Sequence, residues 1–148
     1  MQSDDGIELL VRALIDPCSQ ASIISTSLCQ RLKLKVEKVN IPIQGTGGDL
    51  LSTLTKSAKF CIKPCFDSDF SCRANGFVLP KVTTYAPPTM DFSLQLPHLE
   101  VLTLADPQCM TKGQIELLLN VDVYARIVEG AVKKGELNEP IAIKSALG

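Results

Sequence analysis

The 148-residue sequence has no tryptophan, one histidine, two tyrosines and five phenylalanines, so its 45% apolar share must build a core mainly from Ile, Leu and Val. Such a core leans toward sheet. No stretch is long enough and free enough of charge to span a bilayer. The start, MQSDDGIELL, is acidic and lacks both the basic beginning and the apolar segment of a secretory signal. A soluble, intracellular and cytoplasmic protein with no membrane partner is therefore expected. Neither charge sign dominates: fifteen basic residues nearly balance sixteen acidic ones, with no long run of either. That gives no footprint for nucleic acid, and Lys133-Lys134 reads as a solvated face or helix end.

Other chemistries find little support in the residues present. No Gly-x-Ser-x-Gly element is present, and His98 has neither Cys18 nor Cys109 in a recognised nucleophile setting. Cys61, Cys65 and Cys72 fit no familiar zinc spacing and lie far from the one histidine, so no metal or cofactor is expected. Without a secretory signal, the six cysteines are expected as free thiols.

What is present reads as one domain over residues 1–148, rich in strands, with two short helices. IELLVRALID, Ile7 to Asp16, suits a strand that ends at the breaker Pro17-Cys18-Ser19. A helix over roughly Thr26 to Lys33 follows from Ser25 or Thr26 as its cap and from Leu28 and Leu32 on one face. VNIPIQ and TLTKSAKFCI flank Gly45-Thr46-Gly47-Gly48 as a β-hairpin with a glycine-rich tip. ANGFVLPKV is another strand, and the proline-rich TTYAPPTMDFSLQLPH is a loop. Ile115 to Val121 is short and apolar enough for a buried strand. DVYARIVEGAVKKG carries Val123, Ile127 and Val128 at helical spacing with Gly130 as a stop, and PIAIKS closes the domain as a strand.

Two features bear on chemistry. Gly45, Gly47 and Gly48 can give the hairpin tip exposed amides, although a plain surface hairpin has the same composition. Asp16 ends an apolar strand, where an aspartate is either a turn former or a catalytic carboxylate. Taken together, ALIDPCSQASIISTSLCQRLKL, IPIQGTGG, VLPKVTTYAP, HLEVLTLADP, IELLLNVDVYARIV and PIAIKSALG resemble, in order and spacing, the aspartic peptidase domain of BEL/Pao retrotransposons. The resemblance covers nearly the whole chain.

It implies a mainly β, retropepsin-like acid-protease fold acting as a homodimer on a peptide or polyprotein substrate. Asp16 would be the catalytic aspartate, Pro17, Cys18 and Ser19 the active-site loop, and Gly45, Thr46, Gly47 and Gly48 the substrate-binding flap. The late strand would be followed by the scaffold residues Asn120 and Asp122, the latter in a helix-capping or structural role. Asp106 belongs to the pattern without a chemical role. Two departures from the family pattern stand out. Pro17-Cys18 stands where it has Ser/Thr-Gly, removing a hydroxyl and an N–H that brace the partner's loop. Asn120 replaces a late glycine, a change that asparagine's tolerance of unusual backbone angles should soften. A folded copy without catalysis, serving as a peptide-binding or dimerisation module, is the alternative these departures leave open.

Overall fold

A computed structural model describes residues 1–44, 50–84, 96–109, 111–137 and 139–148. The chain is mainly β. Its strands are β1 (Ala13–Ile15), β2 (Ser22–Ser25), β3 (Val36–Gln44), β4 (Leu50–Ile62), β5 (Cys72–Leu79), β6 (Leu117–Leu119), β7 (Val128–Lys133) and β8 (Ala142–Ser145). Helices α1 (Thr26–Arg31), α2 (Pro97–Glu100) and α3 (Val121–Ile127) complete the described elements. Two helices were expected; α2 is a third, one turn long, opening on Pro97 in a stretch that its prolines marked as loop. Proline suits the first position of a helix because no N–H is needed there.

Six strands form one sheet in the order β1-β6-β2-β5-β4-β3, while β7 and β8 pair as a separate ribbon. β6 runs parallel to β1 and antiparallel to β2, so a strand from late in the chain is threaded between two that are neighbours in sequence. Its three residues, Leu117, Leu118 and Leu119, are all buried, as a strand covered on both faces requires. β2 then pairs in parallel with β5, β5 antiparallel with β4, and β4 antiparallel with β3.

The apolar periodicity explains the core. Leu28 and Leu32 face inward one turn apart from α1 and its end, Val123 and Ile127 do the same from α3, and Ile24, Phe60 and Cys72 fill the space between. Each fully buried Leu or Ile contributes roughly 1.5–3 kcal/mol. Ser25 caps α1, its Oγ accepting from the Leu28 amide at 3.1 Å. Gly76 in β5 is needed for packing: an added Cβ would lie 3.0 Å from the ring of Phe60.

Two expected boundaries differ. The ladder of β1 covers three residues of the stretch Ile7 to Asp16, because upstream Leu10 is 85% exposed and Gln2 bridges instead to Glu8 and Cys61. Helix α3 ends at Ile127 and not at Gly130. Val128 is already extended, and Gly130 adopts φ +83° inside β7, where the register with β8 shifts.

Candidate active site

β1 delivers Asp16 to the edge of the threaded strand, where its backbone N–H donates to the Leu119 carbonyl at 2.8 Å. The four residues from Asp16 to Ser19 form a tight turn, with the Ser19 N–H donating to the Asp16 carbonyl at 3.1 Å. Asp16 Oδ1 accepts from the Cys18 N–H at 3.0 Å, the side-chain bond typical of an aspartate that opens a turn. Pro17 occupies the second position of this turn, which its fixed φ suits and where no N–H is required. Cys18 follows without a positive φ, since Lys33 is the non-glycine residue that has one among those described. The backbone at Cys18 therefore does not require a glycine.

Ser19 closes the turn on both sides. Its Oγ donates to the Ala21 carbonyl at 2.8 Å, and its carbonyl accepts from the Val121 N–H at 3.0 Å. Asp16 is half-buried, whereas Pro17 and Cys18 are exposed, so the turn's apex faces outward. Ile15, 38% exposed, and Val121, 39% exposed, add apolar surface from the flanks.

Asn120 ties the late strand to this turn. Its Nδ2 donates to the Gln20 carbonyl at 3.0 Å and to Asp122 Oδ2 at 3.2 Å, while its Oδ1 accepts from Ser22 Oγ at 3.0 Å. In return, the Asn120 N–H donates to Ser22 Oγ at 3.1 Å. It is also the cap of α3, with Oδ1 accepting from the Val123 N–H at 3.4 Å. Asn120 has φ −80° and ψ 179°, an ordinary extended conformation, so its backbone needs neither glycine nor asparagine's special tolerance. Asp122 lies in the first turn of α3 as an acceptor for Asn120; the cap itself is Asn120. Sequence-predicted Asp16, Pro17, Cys18, Ser19, Asn120 and Asp122 therefore come together. Gly45, Thr46, Gly47 and Gly48, the flap assignments, lie outside the described residues, between the paired ends of β3 and β4.

Sequence reasoning missed two supports. Ser22, buried on β2, is the hinge of the Asn120 network. Arg12 clamps the segment after α2: Nε lies 2.7 Å from Asp106 Oδ2, Nη1 donates to the Thr111 carbonyl at 2.8 Å and Nη2 to the Gln108 carbonyl at 2.6 Å. This gives Asp106 a structural role. An arginine interrupting an apolar strand was the available signal for it.

An open groove of about 840 Å³ runs along the outer side of β1, lined by Leu9, Val11, Ile15, Pro107 and Lys112 among others. Its lining includes Leu119 and Ile15 but stops short of Asp16 and Asn120. His98 is engaged elsewhere: Nε2 lies 2.9 Å from the Pro140 carbonyl and Nδ1 3.5 Å from Glu139. All six cysteines are free, and burial pushes the thiols of Cys29 and Cys72 up. Among the described residues, no group of three or more His, Cys, Asp or Glu is arranged to hold a metal ion, and no helix is long and apolar enough to cross a membrane. Comparison with protein-family models, with curated proteins and with solved structures gives no match.

Proposed function

We propose that the chain is half of a retropepsin-like aspartic endopeptidase of the BEL/Pao retrotransposon type, hydrolysing peptide bonds in a polyprotein once two copies pair. The observation that carries this reading is the position of Asp16. It sits at an outward-facing turn, anchored by its own amide to a strand threaded between the two strands that flank it. A general base needs such fixing, because its carboxylate must keep its place while a proton moves.

On this reading the two Asp16 carboxyls meet across a two-fold axis at about 3 Å, where both cannot ionise cheaply and the pair shares one proton. The ionised member takes a proton from a water lying between them, and that water attacks the scissile carbonyl. The protonated member donates to the carbonyl oxygen, and later transfer of a proton to the amine releases the product. The residues Gly45 to Gly48 would contribute backbone amides to an extended substrate.

Pro17 and Cys18 favour a second reading, a catalytically silent peptide-binding or dimerisation module. The hydroxyl that would brace the partner's turn is absent, and an exposed thiol stands in place of a glycine. One experiment separates the two. An unfolded-peptide mixture is incubated with the chain across roughly pH 4–7, the range open to a shared-proton dyad, alongside Asp16→Asn. Cuts that vanish in the variant support the peptidase. Saturable peptide binding that survives Asp16→Asn, with cleavage absent throughout, supports the module. A protein that stays monomeric at micromolar concentration and neither binds nor cuts refutes both.

A further inference from the structure

Two Asp-Pro sequences fold into the same turn. In Asp16-Pro17-Cys18-Ser19 and in Asp106-Pro107-Gln108-Cys109, the aspartate Oδ1 accepts from the amide two residues on at 3.0 Å. The amide three residues on donates to the aspartate carbonyl at 3.1 Å in both. Each side-chain bond closes a ring that contains the Asp–Pro peptide bond, keeping the carboxyl beside the bond that links it to proline. The nitrogen of that bond is a tertiary amide, and its second alkyl substituent makes it a more basic leaving nitrogen than that of an ordinary peptide bond.

The twins differ in what restrains the carboxylate. Asp106 is held by Arg12, whose Nε lies 2.7 Å from Oδ2 and whose Nη2 lies 3.3 Å from Oδ1. Among the described residues Asp16 has no ion pair; its side-chain partner is the Cys18 amide.

We propose that the Asp16–Pro17 bond is a site of intramolecular self-scission, and that Arg12 protects the twin bond Asp106–Pro107 from the same reaction. A carboxylate oxygen of Asp16 attacks the carbonyl carbon of Asp16 and closes a five-membered ring. The carbon–nitrogen bond to Pro17 breaks as the proline nitrogen takes a proton from solvent and leaves as an amine. The resulting cyclic anhydride at Asp16 is opened by one water, restoring the side-chain carboxyl and leaving a new α-carboxyl. The products are residues 1–16 and 17–148, and the reaction consumes a single water with no oxidant or reductant. The cut falls between β1 and β2 at the candidate catalytic residue, so the same carboxyl that defines the site can silence it. One chain suffices, which makes this reaction independent of the proposed pairing of two Asp16 carboxyls.

The test holds the full chain in a mildly acidic buffer in which circular dichroism shows it folded, and follows intact mass and new N-termini. Scission should start a fragment at Pro17, at a rate independent of protein concentration, and drop sharply in Asp16→Asn. It should exceed scission at Asp106–Pro107 by about tenfold or more, the difference that one charge-assisted bond to arginine makes. Arg12→Gln should raise cutting at Asp106–Pro107 toward the rate at Asp16–Pro17. In urea the two bonds should cut alike, since both turns are lost. Equal rates at the two bonds in the folded parent, persistence of the cut in Asp16→Asn, dependence on protein concentration, or a folded chain that stays whole while the unfolded one is cut would each overturn the proposal.

Discussion

Replacing Asn120 by alanine tests whether the candidate site is one connected network. Four side-chain contacts are lost together: the acceptor for Ser22 Oγ, the acceptor for the Val123 N–H, and the donor to the Gln20 carbonyl and to Asp122. Loss of the cap on α3 costs about 1 kcal/mol. The bond to Gln20 adds about 1 kcal/mol, and the Ser22 hydroxyl, buried and deprived of its acceptor, adds roughly 1–2 kcal/mol. Because the bonds share atoms, the sum is not strictly additive, and a total of about 2–4 kcal/mol is expected. With a urea slope of about 2 kcal/mol per molar, the unfolding midpoint should fall by roughly 1–2 M. Urea titration followed by circular dichroism measures this directly. In a Ser22→Ala background the same change should cost about 1 kcal/mol less, since the orphaned hydroxyl is already gone. A loss below about 1 kcal/mol, or additive single changes, would refute the network account. Asn120→Gly separates the parts further: glycine caps nearly as well as asparagine, so the deficit should shrink by the cap and keep the rest.

Three other perturbations probe the surroundings. Arg12→Met should cost about 2–3 kcal/mol in urea unfolding, discounted for the partial exposure of Asp106, and should speed amide exchange over residues 106–111. Gly76→Ala should cost about 1–3 kcal/mol by crowding the Phe60 ring, and Phe60→Leu in the same chain should recover part of that loss. Thiol labelling of the native protein should proceed fast at exposed Cys18, Cys65 and Cys109 and await unfolding at buried Cys29 and Cys72. Burial raises the pKa of both buried thiols, so their contribution to stability is complete below the unfolded thiol value of about 8.5 and is lost as pH rises through the folded values. Urea midpoints falling from about pH 8.5 upward, with Cys29 and Cys72 becoming reactive in parallel, would bear this out.

Local signals in the sequence located most elements, because each rests on residues a few positions apart. Ser25 before Leu28 and Leu32 marks α1, the leucines at 117–119 mark β6, and the hairpin of β3 and β4 follows from two apolar strands around glycines. Failures occur where two local signals compete or where the deciding contact is distant. Val123, Ile127 and Val128 continue a helical spacing, yet Val128 and Val132 also suit a strand, and pairing of β7 with β8 decides between them. The threading of β6 depends on contacts about a hundred residues apart, such as Asn120 to Gln20 and Arg12 to Asp106, which no local pattern encodes. Asp16, Ser19 and Asn120 were therefore legible as candidates, while Ser22 and Arg12, which connect them to the rest of the fold, were not.

Pro17 is the residue on which the sequence and the structure place opposite weight. In the sequence it looks like damage, because it replaces a hydroxyl and removes an N–H. In the structure it occupies the turn position that proline favours, and the same geometry recurs at Asp106-Pro107-Gln108-Cys109. An Asp-Pro turn thus holds its own shape, with the aspartate side chain and the fixed φ of proline replacing what serine and glycine would supply. Asp16 is placed by its bond to Leu119, which the substitution leaves intact. If two copies pair as proposed, what Pro17 lacks is a donor directed outside the chain, toward the second copy. On the proposed reading, its cost therefore falls on how tightly two copies associate, and the geometry of each half-site is retained once they have done so.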